Sequence, residues 1–200
     1  MNKKWMIGSL ALSLGLMSAG SGALAASLPI SNTGVKSVAV VAPGKEGPVL
    51  INNLTVNSVV PLVAHAKALY TYTHRGGSAY MPELFQYNAM EYRFLSSDLG
   101  TKQKLLSYIK RAYTHKAAAY YVQNQFLEYK GRMAQVNADM GNSLQYEKAK
   151  ARMVSKTTTS AVFELTVPYP EGQGPAETVV VELKKVNGYW RIDTSPDILF

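Results

Sequence analysis

The sequence predicts a single-domain α+β fold, with about three helices packed on an antiparallel meander. Three observations predict it. Between 147 and 193, apolar and polar residues alternate with period two in four successive runs, the mark of half-buried strands. Turn chemistry separates the runs, chiefly in 168–176 (PYPEGQGPA) and at Asn187-Gly188. Upstream, between 57 and 125, apolar residues recur at helical spacing, so helices supply the cover that one face of such a sheet needs.

The first 25 residues predict a secretory signal peptide. Lys3 and Lys4 give a basic start, 6–19 is apolar and small, and Ala23-Leu24-Ala25 offers a cleavage site. The apolar run is shorter than the roughly 20 residues a membrane-spanning helix needs, so no span is expected. Its removal takes two lysines with it and lowers the formal charge from +8 to +6. The chain has no cysteine, which excludes a lipid anchor, a disulfide framework, a thiolate zinc site and a cysteine nucleophile. A cysteine-free exported protein fits a Gram-positive bacterium, secreted or held in the cell wall. Its basic charge would be drawn to anionic wall polymers, and serves equally as plain solubility charge.

Residues 26–53 carry Gly, Pro, Ser and Val with little periodicity and read as a flexible lead-in, with 35–42 (VKSVAVVA) a candidate edge strand. The folded domain is expected over 54–200. Its first helix runs from 57 or 58 to 74, with Val59, Val60, Leu62, Val63, Ala66, Leu69 and Tyr70 inward, Pro61 in the first turn and Arg75-Gly76-Gly77 as the stop. Residues 81–95 read as a hairpin turning at Asn88-Ala89. Asp98 or Thr101 caps a second helix whose Leu105, Leu106, Ile109, Ala112 and Tyr113 face inward, and Thr114 caps a third over 115–125. A second hairpin over 126–136 turns at Lys130-Gly131, and 143–147 reads as one helical turn before the meander. In the meander, Ala149, Ala151 and Met153 share one face of the first strand.

Few residues offer catalysis. His65, His74 and His115 lie apart from one another and from any acid at ligand spacing, and no nucleophile elbow, metalloprotease helix or phosphate loop is present. No metal, no cofactor and no enzyme activity are expected. The basic run Lys102, Lys104, Lys110, Arg111 and Lys116 is interleaved with Tyr108, Tyr113, Tyr120 and Tyr121. Export argues against nucleic acid, which leaves a solvated face with tyrosines at its margin, or loose contact with wall polymers. The tyrosine content also leaves open a small-ligand pocket between helices and sheet, as well as a solid tyrosine-filled core. Asp139 is the lone acid between Glu128 and Glu147, set among small residues before Gly141. It reads either as an Asx-turn or as a protruding carboxylate able to enter a cationic cleft.

Four short motifs carry a resemblance: YN..EYRFL from Tyr87, SDLGTK from Ser97, GRMAQ from Gly131 and ADMG from Ala138. Together they resemble the IseA-type D,L-endopeptidase inhibitor family over 59–193. The layout is also loosely similar to nuclear-transport-factor-like domains. The family resemblance implies an exported, monomeric inhibitor of NlpC/P60 peptidases, the autolysins that cleave peptidoglycan during cell separation. It implies one hacksaw-like α+β domain with three helices and about eight strands. It further implies that a mobile acidic loop plugs the positively charged cleft of the target. That loop corresponds here to Asn137, Ala138, Asp139, Met140, Gly141 and Asn142, with the family's Asp-Gly pair falling on Asp139 and Met140 or Gly141. The alternative is an envelope binding module with a pocket between helices and sheet.

Overall fold

In a computed structural model, the structure describes residues 49–79, 81–138 and 141–200. The expected signal peptide, most of the lead-in, the 35–42 strand, and Asp139 and Met140 of the loop lie outside the described residues.

The order of elements is α1 (Val56–His74), β1 (Leu84–Tyr87), β2 (Met90–Phe94), α2 (Lys102–Ile109), α3 (His115–Gln125), β3 (Leu127–Tyr129), β4 (Arg132–Val136), a 3₁₀ turn (Tyr146–Lys148), β5 (Lys150–Lys156), β6 (Ser160–Val167), β7 (Glu177–Val186), β8 (Tyr189–Ile192) and α4 (Pro196–Leu199). The strands form two antiparallel four-stranded sheets, one ordered β1-β2-β4-β3 and the other β5-β6-β7-β8. The single α+β domain with a C-terminal meander is therefore as the sequence predicts. The second sheet follows the chain order because each of its connections is a local turn.

The first sheet is built from the two hairpins. Each turns on two residues of positive φ, Asn88 and Ala89 in one, Lys130 and Gly131 in the other, the geometry that suits the right-handed twist of paired strands. The hairpins join through their inner strands, with Tyr92 opposite Val136, Arg93 opposite Gln135 and Phe94 opposite Ala134. Phe85 stacks on Tyr92, Phe94 and Tyr129, so an aromatic cluster spans this small sheet.

The core lies between the helices and one face of the meander. Ala161, Phe163, Leu165 and Val167 of β6, Val181 and Leu183 of β7, and Trp190 and Ile192 of β8 are buried, as alternation demands. Helix α1 lays Val59, Leu62, Val63, Ala66, Leu69 and Tyr70 against them. Each large apolar side chain so buried contributes roughly 1.5–3 kcal/mol. Thr114 fixes the α2–α3 pair to the meander. Its N–H donates to the Ile192 carbonyl at 2.8 Å, its hydroxyl donates to Asp193 Oδ1 at 2.6 Å, and the same hydroxyl oxygen accepts the Ala117 N–H that begins α3.

Two expectations need correction, and a third needs a note. Pro61 is not in the first turn. Thr55 and Ser58 start α1 at Val56, with the Thr55 N–H donating to Ser58 Oγ at 2.9 Å, which puts Pro61 in the second turn. Met153 lies opposite the buried Phe163, on the face it shares with Ala151 as expected, but on the edge strand β5 it stays partly exposed, and the β5–β6 register shifts only after it, between Met153 and Ser155. Residues 49–51, expected as the free end of a lead-in, are tied to the fold. The Val49 N–H donates to the Arg111 carbonyl at 2.9 Å and the Trp190 N–H donates to Ile51 O at 2.7 Å. Val49 and Ile51 also pack on the core, so the segment covers part of the β8 edge.

Candidate functional site: the 137–142 loop and the cleft at its base

The loop connects the two sheets, and both of its ends are anchored. On the β4 side, the Asn137 N–H donates to the Glu91 carbonyl at 2.9 Å, and Asn137 Nδ2 donates to the Glu91 carboxylate. The Ala138 N–H donates to Val136 O at 3.0 Å. On the far side, Asn142 Nδ2 donates to the main-chain oxygen of Phe200 at 3.2 Å, and Asn142 Oδ1 accepts the Leu144 N–H at 3.2 Å. Gly141 passes so near that a β-carbon on it would lie 2.8 Å from the same Phe200 oxygen. Ser143 then bonds Gln173 at 2.8 Å, and the Tyr146 hydroxyl donates to the Leu199 carbonyl while its ring meets Phe200 edge-on at 4.8 Å.

Ala138, Gly141 and Asn142 are exposed, as is Asn137. The structure thus places four of the six predicted loop residues on the surface at two fixed points, with Asp139 and Met140 outside the described residues. Two contributors were missed by sequence reasoning. Glu91 brings a second carboxylate to the loop base, and Phe200 holds the other end. Glu91 stood within the EYRFL motif, which was the available signal. Nothing in the sequence pattern pointed to Phe200.

Behind the loop base lies a cleft of about 310 Å³ between the ends of α1 and α3 and the first sheet. Tyr70, Tyr92, Tyr121 and Phe126 give it aromatic walls, and Asn124, Gln125 and Gln135 give it carboxamides; His74 and Ala138 complete the side nearest the loop. Its floor is set by the end of α1. The His74 carbonyl, which the helix leaves without a partner, accepts Gln135 Nε2 at 2.6 Å and Arg93 Nη2. Burial, and secondly the Arg93 charge, push the His74 imidazole below its ordinary pKa, so it stands neutral at pH 7. Its Nδ1 is buried without a hydrogen-bond partner among the described residues.

The remaining candidates separate cleanly. Tyr108, Tyr113 and Tyr121 are buried in the core, and Tyr120 alone of the four is exposed. Three of the four tyrosines are therefore committed to the core, and Tyr120 alone presents its ring to solvent. Within the basic face, Lys104 donates to the Ser97 carbonyl at 2.7 Å and Arg111 lies 4.5 Å over the Tyr108 ring. Among the described residues, no three His, Asp or Glu side chains converge, and no helix is long and apolar enough to cross a membrane.

A family model described as IseA DL-endopeptidase inhibitor matches residues 50–197. The chain belongs to the IseA DL-endopeptidase inhibitor family. The matched stretch holds the whole loop and its Glu91 anchor, and ends before Phe200. A curated relative, "Uncharacterized protein YoeB" of Bacillus subtilis (strain 168), is 31% identical over 114 residues, which is 54% of this chain and 60% of that protein. The chain thus spans 60% of the length of the curated relative it matches.

Proposed function

We propose that the protein is an exported inhibitor of peptidoglycan DL-endopeptidases of the NlpC/P60 kind, acting by occupation of the active-site cleft with its 137–142 loop. Membership of the IseA family supports the target class. The observation that carries the loop assignment is its two-point anchorage, on Glu91 and on Phe200. A segment whose ends are already held has less conformational freedom left to lose on binding, which lowers the entropic cost of docking. Asp139 supplies negative charge at that middle, and Glu91 supplies more at the base. Against a cationic cleft these charges attract and orient. No bond is made or broken on the inhibitor.

The basic, cysteine-free chain with a signal-peptide-like start supports a place outside the cell, at the wall where such endopeptidases work. The test is a peptidoglycan digestion by a purified NlpC/P60 endopeptidase with and without the purified protein. Occupation of the cleft predicts a raised KM for substrate at constant kcat. A lowered kcat at constant KM, or no inhibition, would reject the reading.

A further inference from the structure

The cleft behind the loop has a chemistry that the inhibitory reading does not use. None of its lining residues is an Asp, Glu, Lys or Arg, and its one titratable imidazole is held neutral. The phenols of Tyr70 and Tyr121 are kept protonated by burial, so they act as hydrogen-bond donors. Two charges stand just outside the lining and are already engaged, Arg93 on the His74 carbonyl and Asp197 on Gln125 and Ser195, so a charged ligand would lose hydration there without a free counter-charge.

Two features narrow the class further. The aromatic rings are tilted or edge-on to one another, Tyr70 to Tyr121 at 48° and Tyr121 to Phe126 at 87°, so they do not form a parallel slot for a flat aromatic ligand. They offer apolar faces beside hydroxyls. Of the carboxamides among them, Gln135 is engaged with the His74 carbonyl and Gln125 with Asp197, while the exposed Asn124 side chain makes no hydrogen bond among the described residues. The volume of about 310 Å³ is at the small end of ligand sites, room for a single ring and its substituents.

From these observations we infer that the cleft is a seat for one uncharged sugar ring, of the N-acetylhexosamine kind. Such a ring has C–H faces for the aromatic walls and hydroxyl and acetamido groups for the Asn124 carboxamide and the phenols. Because Ala138 is part of the lining, the bound ring abuts the base of the loop. The inference stands on the cleft alone and holds whether or not the loop inhibits a peptidase.

The probes are N-acetylglucosamine and its β-1,4 disaccharide, with glucosamine as a cationic control and N-acetylmuramic acid as an anionic one. Titration calorimetry or NMR on the purified protein reads binding. The neutral sugars should bind with a dissociation constant on the order of 1 mM, and each charged control at least about tenfold more weakly. Tyr92→Ala removes one wall and Asn124→Ala one carboxamide; each should weaken binding about three- to tenfold. Asn124 is exposed and unbonded, so its variant keeps the test valid even if Tyr92→Ala disturbs the hairpin. Absence of neutral-sugar binding at tens of millimolar, equal binding of the charged controls, or binding unchanged by both substitutions would each overturn the inference.

Discussion

Asn137 grips Glu91 twice, once through its main-chain N–H at 2.9 Å and once through its side-chain amide to the carboxylate. The first bond extends the β2–β4 ladder by one residue, and the second needs this side chain. Asn137→Ala keeps the first and loses the second. One exposed hydrogen bond contributes about 1 kcal/mol or less, small against a domain stability of roughly 5–15 kcal/mol. The variant should fold with a nearly unchanged Tm yet inhibit several-fold less well, because the loop base loosens. Paired thermal melts and inhibition curves check this, and an unchanged inhibition constant would show that the Glu91 grip is not needed.

Gly141 is a glycine for reasons of space. A methyl group there would lie 2.8 Å from the Phe200 main-chain oxygen, which is backbone and gives way only if the segment shifts. Gly141→Ala should therefore release Asn142 from Phe200 and weaken inhibition, with a stability loss of about 1 kcal/mol. Gly131, by contrast, has nothing within 4 Å of its added carbon but a φ of +73°, so Gly131→Ala should strain a hairpin turn and leave the loop alone. Comparing the two variants in the same inhibition assay separates loop anchorage from general destabilisation.

The end of α1 is tied to the segment after β2 through Asp98. Burial pushes its carboxyl up, but hydrogen bonds from Ser96, Tyr72 and Ser78 outweigh that and hold it at about 2. Its folded pKa is depressed, so its stabilisation is present above the ordinary carboxylate range and is lost as pH falls through about 2. Asp98→Asn should lower stability at pH 7 by about 1 kcal/mol, since partial exposure screens the bonds. The difference from wild type should close in acid near pH 2, as denaturant melts across pH would read.

His74 works in a different pH window. Its folded pKa lies below 6.5, so below that value the unfolded chain binds more protons than the folded one. Stability contributed by the neutral imidazole is full above the unfolded pKa and falls as pH drops from 6.5 toward the lower folded value. Wild-type Tm should decline from pH 7 to pH 5, and His74→Gln should flatten that slope. An equal slope in both proteins would contradict the burial argument.

How much of this was legible in the sequence follows from the range of each interaction. The meander could be read because its strands are joined by local turns and its alternation is strong, as in Phe163, Leu165 and Val167. The caps at Thr101 and Thr114 could be read for the same reason, being bonds across three residues. The register shift after Met153 could not be read, because a bulge leaves no mark in the alternation itself. The union of the two hairpins through β2 and β4 is a pairing of distant segments, and pattern alone does not specify it. The loop could be named from its composition and from the family resemblance, but its anchors could not. Glu91 lies 46 residues before Asn137, and Phe200 lies 58 residues after Asn142. The cleft was legible only as a possibility raised by tyrosine content, since most of those rings went into the core.

The most direct measurement is the inhibition of a purified NlpC/P60 endopeptidase by wild type and by Asp139→Lys, each first shown by circular dichroism to have the same fold. Reversing the charge at the middle of the loop sets like against like in a cationic cleft, at a cost of several kcal/mol. The account predicts strong inhibition by wild type and at least a hundredfold loss in the variant, the ratio that about 2.7 kcal/mol gives. Equal inhibition by the two proteins would contradict it.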